Sequence, residues 1–525
     1  MEGSRDTAKE GEMMFKIVYL IEVLYKMRIL SPWGLYRVIA AIFRYGINVM
    51  MLIKLTEKTD GHKIAIVDEK EAVTYQQLLS QSERLSIILQ QKYRLRSGQK
   101  VGLLCKNHAS LVKSIFAVSL AGADLYLFNT EMGIKQFNQL QDTYEIDLFI
   151  YDTELASYLE QSSFTKGKVL SYHDHLPAIN NLPHTYIPEH QKLPRTSSSR
   201  IILLTGGTTG TAKKVAHKPS LFNYLPPFST MLTRLQLLQY HTAYIATPIY
   251  HGYGIAVLFL FIALGKKVVL TSGFEAAKAC DVIRKHKVEV VTVVPLMIHK
   301  MLRHRVEDLK SLVCMASGGA ELNPKLVAEV LSKLGDVLYN LYGTSEAGLN
   351  IIATPQDLKY SANTIGRKIN RTRLQVLDDR KKKVGVGVVG QFCIKNSWSM
   401  RGRKHPWIET GDMGYRDRHG YYFLCGRADD MIVSAGENVY PMEIEQVLIH
   451  HPCVDDVAVI GIRDETFGQR LKAVVQPAQH AELTTETLME WLRPRVARYQ
   501  LPKEIVFVDR ISYTHLGKRD KKQLQ

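Results

Sequence analysis

At 525 residues, 46% of them hydrophobic and 23% charged, the chain has a globular composition and is too long for one hydrophobic core, so two or three domains are expected. Six scattered cysteines (Cys105, Cys280, Cys314, Cys393, Cys425, Cys453) without a C-x-x-C pair exclude a disulfide scaffold or zinc site and read as reduced thiols of a cytoplasmic protein. A net charge of +17 suits nucleotides, nucleic acid or a phospholipid surface, or simply aids solubility; with no helix-turn-helix, zinc finger or RNA-binding aromatic motif, nucleic acid is set aside.

Residues 1–54 form an apolar, basic extension. From Met13 to Lys54, Lys16, Lys26, Arg28, Arg37, Arg44 and Lys54 face one acid, Glu22. No uncharged run reaches the roughly 18 residues of a membrane span, and no cleavage site follows a short apolar core, so neither a transmembrane helix nor a signal peptide is expected. Basic residues among Trp33, Tyr36 and Phe43 fit helices lying in a membrane interface, on the inner face of a membrane, broken at Ser31-Pro32. Helices packed on the main domain fit equally.

From residue 55 helical and strand patterns alternate. Thr74 with Gln77 is a capping box opening a helix towards Gln91. Val101–Cys105, Asp124–Phe128 and Asp147–Tyr151 read as strands, Phe274–Lys287 as helix, and Glu289–Val294 and Ser311–Ala316 as strands. Such alternation predicts parallel sheets covered by helices. After Arg427 a compact α+β module follows: helix Val439–His450, strands Val454–Ile462 and Leu471–Gln476, helix Glu486–Arg495 and strand Ile505–Val508. The segment Gly385–Gly390 matches G-x-G-x-x-G, but a lysine run precedes it and strand-like alternation follows it, which is the wrong context for a dinucleotide site.

The most informative stretch is Thr205-Gly206-Gly207-Thr208-Thr209-Gly210-Thr211-Ala212-Lys213 after an apolar strand. Glycines let backbone N–H groups turn around an anion, threonine hydroxyls add donors, and Lys213 adds a charge; the spacing is not that of a Walker A loop. Further on come Pro248-Ile249-Tyr250-His251-Gly252, Ser317-Gly318-Gly319-Ala320, Tyr342-Gly343-Thr344-Ser345-Glu346, Thr410-Gly411-Asp412, Gly426-Arg427-Ala428-Asp429, Ser434-Ala435-Gly436-Glu437 and Leu516-Gly517-Lys518. Singly these read as ordinary turns, surface charges, a structural histidine or a basic tail. In this order they resemble the adenylate-forming (AMP-binding) superfamily, in its acyl-CoA synthetase and long-chain fatty-acid–CoA ligase branch. Departures stand at Gly206, Ala212 and Lys214, where that family has Ser, Pro and Gly, and at Ser345, where it has Thr.

The resemblance implies an α/β fold, with a large N-terminal domain of helix-covered sheets (residues 55–428) and a small mobile C-terminal α+β domain (429–525) hinged at Asp429. It implies that Thr205, Gly206, Gly207, Thr208, Thr209, Gly210 and Lys213 hold phosphate. Gly318, Gly319 and Ala320 would lie against adenine, on which Tyr342 stacks; Gly343 and Thr344 would also bind the nucleotide, and the Ser345 hydroxyl would reach the α-phosphate. Asp412 would accept the ribose hydroxyls, with Arg427 contacting the nucleotide. Glu346 would hold Mg²⁺, a hard cation; His251 would sit beside the reacting carboxylate, Lys518 would be the catalytic cation, and Gly436 would line the path of CoA. ATP, CoA and a fatty acid are the implied substrates. Ile255, Ala256, Val257, Leu258 and Phe259 include no acid to hold an ammonium group, which favours an unsubstituted apolar carboxylic acid. An acyl-AMP ligase loading a carrier protein and, motivated by the altered phosphate loop, a catalytically degenerate nucleotide-binding scaffold are the alternatives. Oligomeric state has no signature in the sequence.

Overall fold

The computed structural model describes residues 21, 25, 31–184, 195–196, 199–206, 212–217, 225–399, 406–434, 437–464, 468–514, 517–521 and 523–524, with side chains omitted at 205–206, 212–217, 225 and 468. Its contacts divide into two compact units: Met1–Val293 with Met301–Ala316 and Ser397–Arg403, and Val294–Lys300 with Ser317–Asn396 and Lys404–Gln525.

The first unit opens with α1 (Pro32–Tyr45) and α2 (Met50–Asp60). Ser31 caps α1, its Oγ accepting from Gly34 N at 3.0 Å, and Pro32 takes the first helical position, where its missing N–H costs nothing. Strands β1 (Ile64–Val67) and β2 (Ala72–Thr74) lead into α3 (Tyr75–Lys92). The capping box forms as expected: Gln77 N donates to Thr74 Oγ1 at 3.1 Å and Thr74 N to Gln77 Oε1 at 2.9 Å.

Next come β3 (Lys100–Leu104), α4 (Ala109–Leu120), β4 (Asp124–Leu127), α5 (Ile134–Tyr144), β5 (Leu148–Tyr151), β6 (Gly167–Leu170), β7 (Ile201–Gly206) and β8 (Ala212–His217). These strands form a sheet of order β6-β5-β3-β4-β7-β8, parallel except for the β7–β8 hairpin. Strands β9 (Thr242–Ile245), β10 (Lys267–Leu270), β11 (Val290–Val293) and β12 (Cys314–Gly318), with helices α6 (Gly252–Ala263) and α7 (Ala276–His286), extend the rhythm. Here the order is β2-β1-β10-β9-β11-β12, with β1, β10, β9 and β11 mutually parallel. The central strands β4, β9, β11 and β12 are short and fully buried, as a helix-covered parallel sheet requires.

The core beside β5 is aromatic. Phe149 is fully buried and lies 5.1 Å from Phe128, 5.4 Å from Phe137 and 4.9 Å from Phe164 between ring centroids, within the range where tilted ring pairs attract.

The second unit departs from the expected parallel pattern. After α8 (Pro324–Leu334) come β13 (Leu338–Thr344), β14 (Gly348–Ala353), β15 (Thr364–Lys368), β16 (Arg373–Leu377), β17 (Gly390–Lys395), β18 (Ile408–Arg416) and β19 (Tyr422–Arg427), ordered β13-β14-β15-β19-β18-β17-β16 and antiparallel at every step. Gly385–Gly390 is a loop entering strand β17, so it opens no helix.

The α+β module follows the sequence reading closely. Hairpin β20 (Ile432–Ser434) and β21 (Glu437–Val439) precedes α9 (Pro441–Ile449), so the expected helix begins two residues late, at a proline. Strands β22 (Val454–Asp464) and β23 (Gly468–Pro477) pair antiparallel, and β24 (Glu504–Phe507), after α10 (Thr485–Leu492), adds parallel to β23. Leu448 of α9 and Leu488 and Leu492 of α10 pack into one buried cluster with Val457, Leu471 and Val475.

Phe149→Ala would leave a large void among rings with little freedom to collapse. The expected loss is about 3–5 kcal/mol, measured as a lower denaturant midpoint for the transition that reports the first unit.

Candidate active site

The second unit gathers several of the expected residues at one end of its antiparallel ladder. Asp412 on β18 and Arg427 on β19 are direct cross-strand partners. Arg427 Nη1 donates to Asp412 Oδ1 at 3.0 Å and to the Thr410 carbonyl at 3.0 Å. Tyr342 on β13 donates its hydroxyl to the other carboxylate oxygen, Asp412 Oδ2, at 2.5 Å. Each oxygen thus accepts one bond from this pair of donors and, with two lone pairs apiece, retains capacity for a pair of vicinal hydroxyls. Burial lifts the Asp412 carboxyl above the ordinary aspartate range, against the opposing pull of Tyr342, Arg427 and Lys518. Burial also works against the Arg427 charge, but Asp429 and Asp412 together raise its pKa above that of an ordinary arginine.

Gly411 explains the Thr-Gly-Asp spacing. Its φ is +77°, and a Cβ there would come within 2.7 Å of Arg427 Nη2. Only glycine admits both that backbone and the guanidinium lying over it. Asp429, the expected hinge residue, is the second anion on Arg427, through Nε to Oδ1 at 2.9 Å.

The turn between β13 and β14 holds Thr344, Ser345 and Glu346. Ala347 N donates to Thr344 Oγ1 at 3.1 Å and closes the turn. Among the described residues no hydrogen bond or ion pair engages the Glu346 carboxylate, so this oxygen donor fits a hard divalent cation such as Mg²⁺. Gly343 is the penultimate residue of β13, at a register shift between Tyr342 and Gly343. Gly318 ends β12 buried, and Gly319 follows exposed at φ +83° with Ala320 partly buried, a turn of small residues.

Lys518 stands at the end of a tight turn in which Gly517 N donates to Thr514 O at 2.8 Å and Thr514 N to Lys518 O at 2.7 Å. Gly517 has φ +71°, and a Cβ there would lie 2.8 Å from Val294 Cγ2, so the invading turn tolerates no side chain. Lys518 is exposed, and its charge acts on Asp412.

The neighbour of Lys518 carries a feature the sequence reading folded into a basic tail. Arg519 turns inward, with Nη1 3.0 Å from Glu445 Oε2, Nη2 3.0 Å from Asp456 Oδ1, and Glu321 Oε2 4.0 Å away. Tyr513 also donates to Asp456, and Val459 N donates to Glu445 at 2.8 Å. Burial and, after the opposing pull of Arg519, the neighbouring Glu445 push the partly buried Glu321 up to about 7. The signal in the sequence was faint: consecutive residues Lys518 and Arg519, alike in charge, point to opposite environments.

His251 lies in the first unit, directly before α6, its ring 4.5 Å from that of Tyr250. Within α6, Ile255, Val257 and Leu258 are buried. Thr205 and Gly206 end β7 and pair with Lys213 and Ala212 of β8, on either side of the phosphate loop. Gly207, Thr208, Thr209 and Gly210 lie outside the described residues, as does Gly436.

One group resembling a metal site is structural. Cys105, His108 and Asp152 offer ligand atoms within 4.8 Å of one another, but His108 Nδ1 already accepts from Leu111 N at 3.0 Å and Nε2 contacts Asp152 Oδ1 at 2.8 Å. Burial and Asp152 push the Cys105 thiol up, which disfavours the thiolate a metal needs.

Known proteins resemble this chain over most of its length. The model of a family described as AMP-binding enzyme matches residues 55–402, and that of the AMP-binding enzyme C-terminal domain matches residues 443–518. The chain is 28% identical to a 2-succinylbenzoate–CoA ligase of Geobacillus, over 79% of this chain and 85% of that one. It is 30% identical to the medium/long-chain-fatty-acid–CoA ligase FadD8 of Mycobacterium tuberculosis, over 61% of this chain and 60% of the other. Its fold matches that of the o-succinylbenzoate CoA synthetase MenE from Bacillus subtilis, solved with its acyl-adenylate intermediate, with a TM-score of 0.78, 22% identity, and 90% and 97% of the two chains covered.

Arg519→Met strands three carboxylates around an apolar side chain. Breaking a buried ion cluster in this way is expected to cost about 3–5 kcal/mol, read as a lower denaturation midpoint of the second unit. Glu321→Gln has a distinct pH signature. A carboxyl raised in the folded state makes the protein lose stability as pH climbs from the unfolded value towards about 7. Denaturation midpoints measured across that window should fall less steeply for Glu321→Gln than for the parent.

Proposed function

This chain belongs to the AMP-binding enzyme family of the adenylate-forming superfamily, and from that premise we propose that it is an ATP-dependent, AMP-forming acyl-CoA ligase acting on a medium- or long-chain fatty acid. The observation that carries the reading is Asp412, held by Tyr342 and Arg427 with acceptor capacity left over, within the electrostatic reach of an exposed Lys518.

In the first step a carboxylate oxygen of the acid attacks the α-phosphorus of ATP. A P–O bond to the acid forms, the bond to pyrophosphate breaks, and acyl-AMP results. An anion is approaching an anion, so stabilising the developing charge is the chief catalytic demand. Lys518 supplies a cation for that charge, and Asp412 fixes the nucleotide by accepting its two ribose hydroxyls. Arg427 holds Asp412 in place and reaches the nucleotide, and Tyr342 offers adenine a ring whose orientation is set by its own hydroxyl bond. Mg²⁺ held at Glu346 would neutralise phosphate charge. The loop between Thr205 and Lys213 receives the departing pyrophosphate, and His251 orients the acid.

In the second step the CoA thiol attacks the acyl carbonyl, the thioester forms, and AMP leaves. Residues after Asp429 rotate between the steps, withdrawing Lys518 and bringing the segment at Gly436 to the CoA thiol.

Support for an apolar acid comes from α6, which presents no carboxylate to an ammonium group and buries Ile255, Val257 and Leu258, and from the likeness to FadD8. The 2-succinylbenzoate–CoA ligase relative favours an aromatic acid as the second reading. A CoA-dependent screen of aliphatic acids of graded length beside aromatic acids separates the two: the expected maximum of kcat/KM lies among the longer aliphatic acids, and a maximum among aromatic acids overturns the fatty-acid assignment. Acid-dependent exchange of labelled pyrophosphate into ATP is expected; its absence would leave a nucleotide-binding scaffold.

Lys518→Ala should lower adenylation by at least about 10²–10³-fold while sparing thioester formation from supplied acyl-AMP. Equal losses in both half-reactions would rule out Lys518 as the cation specific to adenylation.

A further inference from the structure

We propose that α1 is a membrane-docking helix whose aromatic face inserts into the headgroup layer of an anionic phospholipid bilayer. An amphipathic helix on a globular unit ordinarily turns its large apolar residues inward. In α1 the arrangement is inverted: the helix buries Gly34, Ala41 and Tyr45, while Trp33 is 71%, Phe43 68% and Tyr36 59% exposed, with Leu35, Ile39 and Ile47 exposed beside them.

The outward face is held in place. Tyr45 donates its hydroxyl to Glu83 at 2.6 Å and Arg44 pairs with the same carboxylate at 3.1 Å. Asn48 Nδ2 donates to the carbonyls of Tyr45 at 2.9 Å and Thr196 at 3.0 Å. Trp33 and Tyr36 stack at 5.3 Å between centroids, so two large rings form one rigid plate. Rigid aromatic plates with a polar edge are the side chains that settle at a membrane–water boundary.

Charge decides the occupant. From Met13 to Lys54 the sequence carries Lys16, Lys26, Arg28, Arg37, Arg44 and Lys54 against Glu22; Arg44 and Lys54 are paired with Glu83 and Glu57, which leaves an excess of positive charge, and the Arg195 guanidinium lies 5.7 Å from the Phe43 ring. A second copy of this chain would bring the same positive field and be repelled. An anionic lipid surface complements it, since such a surface attracts basic segments lying beside it. No described helix is long and apolar enough to cross a membrane; α1, with 14 residues, is of a length to lie in the interface. Docking of this kind would place the protein where a fatty acid is concentrated. The contact itself does not depend on the fatty-acid assignment.

The test is co-sedimentation of the full chain with vesicles of phosphatidylcholine, with and without about one-third phosphatidylserine. Needing no catalysis, it stands or falls independently of the proposed activity. The parent should sediment with the anionic vesicles, release as salt is raised, and stay largely in solution with phosphatidylcholine alone. The triple variant Trp33→Ser, Tyr36→Ser, Phe43→Ser should lose at least about tenfold in partition coefficient. Because these side chains are exposed, it should keep the parent's thermal midpoint and circular dichroism. Undiminished binding by the folded triple variant, or equal binding to both vesicle types, overturns the proposal. So does light scattering that shows the parent self-associating through this face without lipid, since a second copy would then be the occupant.

Discussion

A carboxylate taken out of water must be met by donors, and that requirement at Asp412 organises the functional end of the second unit. Its partners arrive from three directions: Arg427 across the β18–β19 ladder, Tyr342 from β13, and the more distant charge of Lys518. Antiparallel pairing makes this possible, because residues directly opposite one another bring their side chains to the same face of the sheet. Gly411 completes the constraint by leaving room for the guanidinium. The partners still leave acceptor capacity on the carboxylate, which is what a ligand with two adjacent hydroxyls requires.

A second constraint operates at Lys518 and Arg519. Arg519 anchors the segment by filling a pocket of Glu445, Asp456 and Glu321, and Gly517 lets the turn approach Val294. With its neighbour buried, Lys518 is left exposed on an anchored turn. The two adjacent cations therefore differ in setting, Arg519 held in an ion cluster and Lys518 exposed.

Sequence patterns are reliable where the physics is local. The Thr74–Gln77 capping box and the β-branched run ending at Val294 each depend on residues a few positions apart, and each appears where the sequence places it. The ladder from β13 to β19 did not announce itself. Its strands are partly exposed and interrupted by register shifts at Tyr342/Gly343 and Met413/Gly414, which blur the two-residue alternation. Arg519 likewise looked like one charge in a tail, because its three carboxylates come from remote positions.

From residue order alone came the family resemblance, with the roles it implies at Asp412, Arg427, Glu346 and Lys518, the alternation of strands and helices, and the elements of the α+β module. The elements follow from residue type and short spacing, the roles from the resemblance. The antiparallel ladder, the Tyr342 hydroxyl on Asp412, the buried Arg519 cluster and the outward aromatic face of α1 were decided by tertiary structure. Each depends on which distant segments share a surface, and burial and hydrogen-bond partnership are properties of that packing that no local pattern encodes.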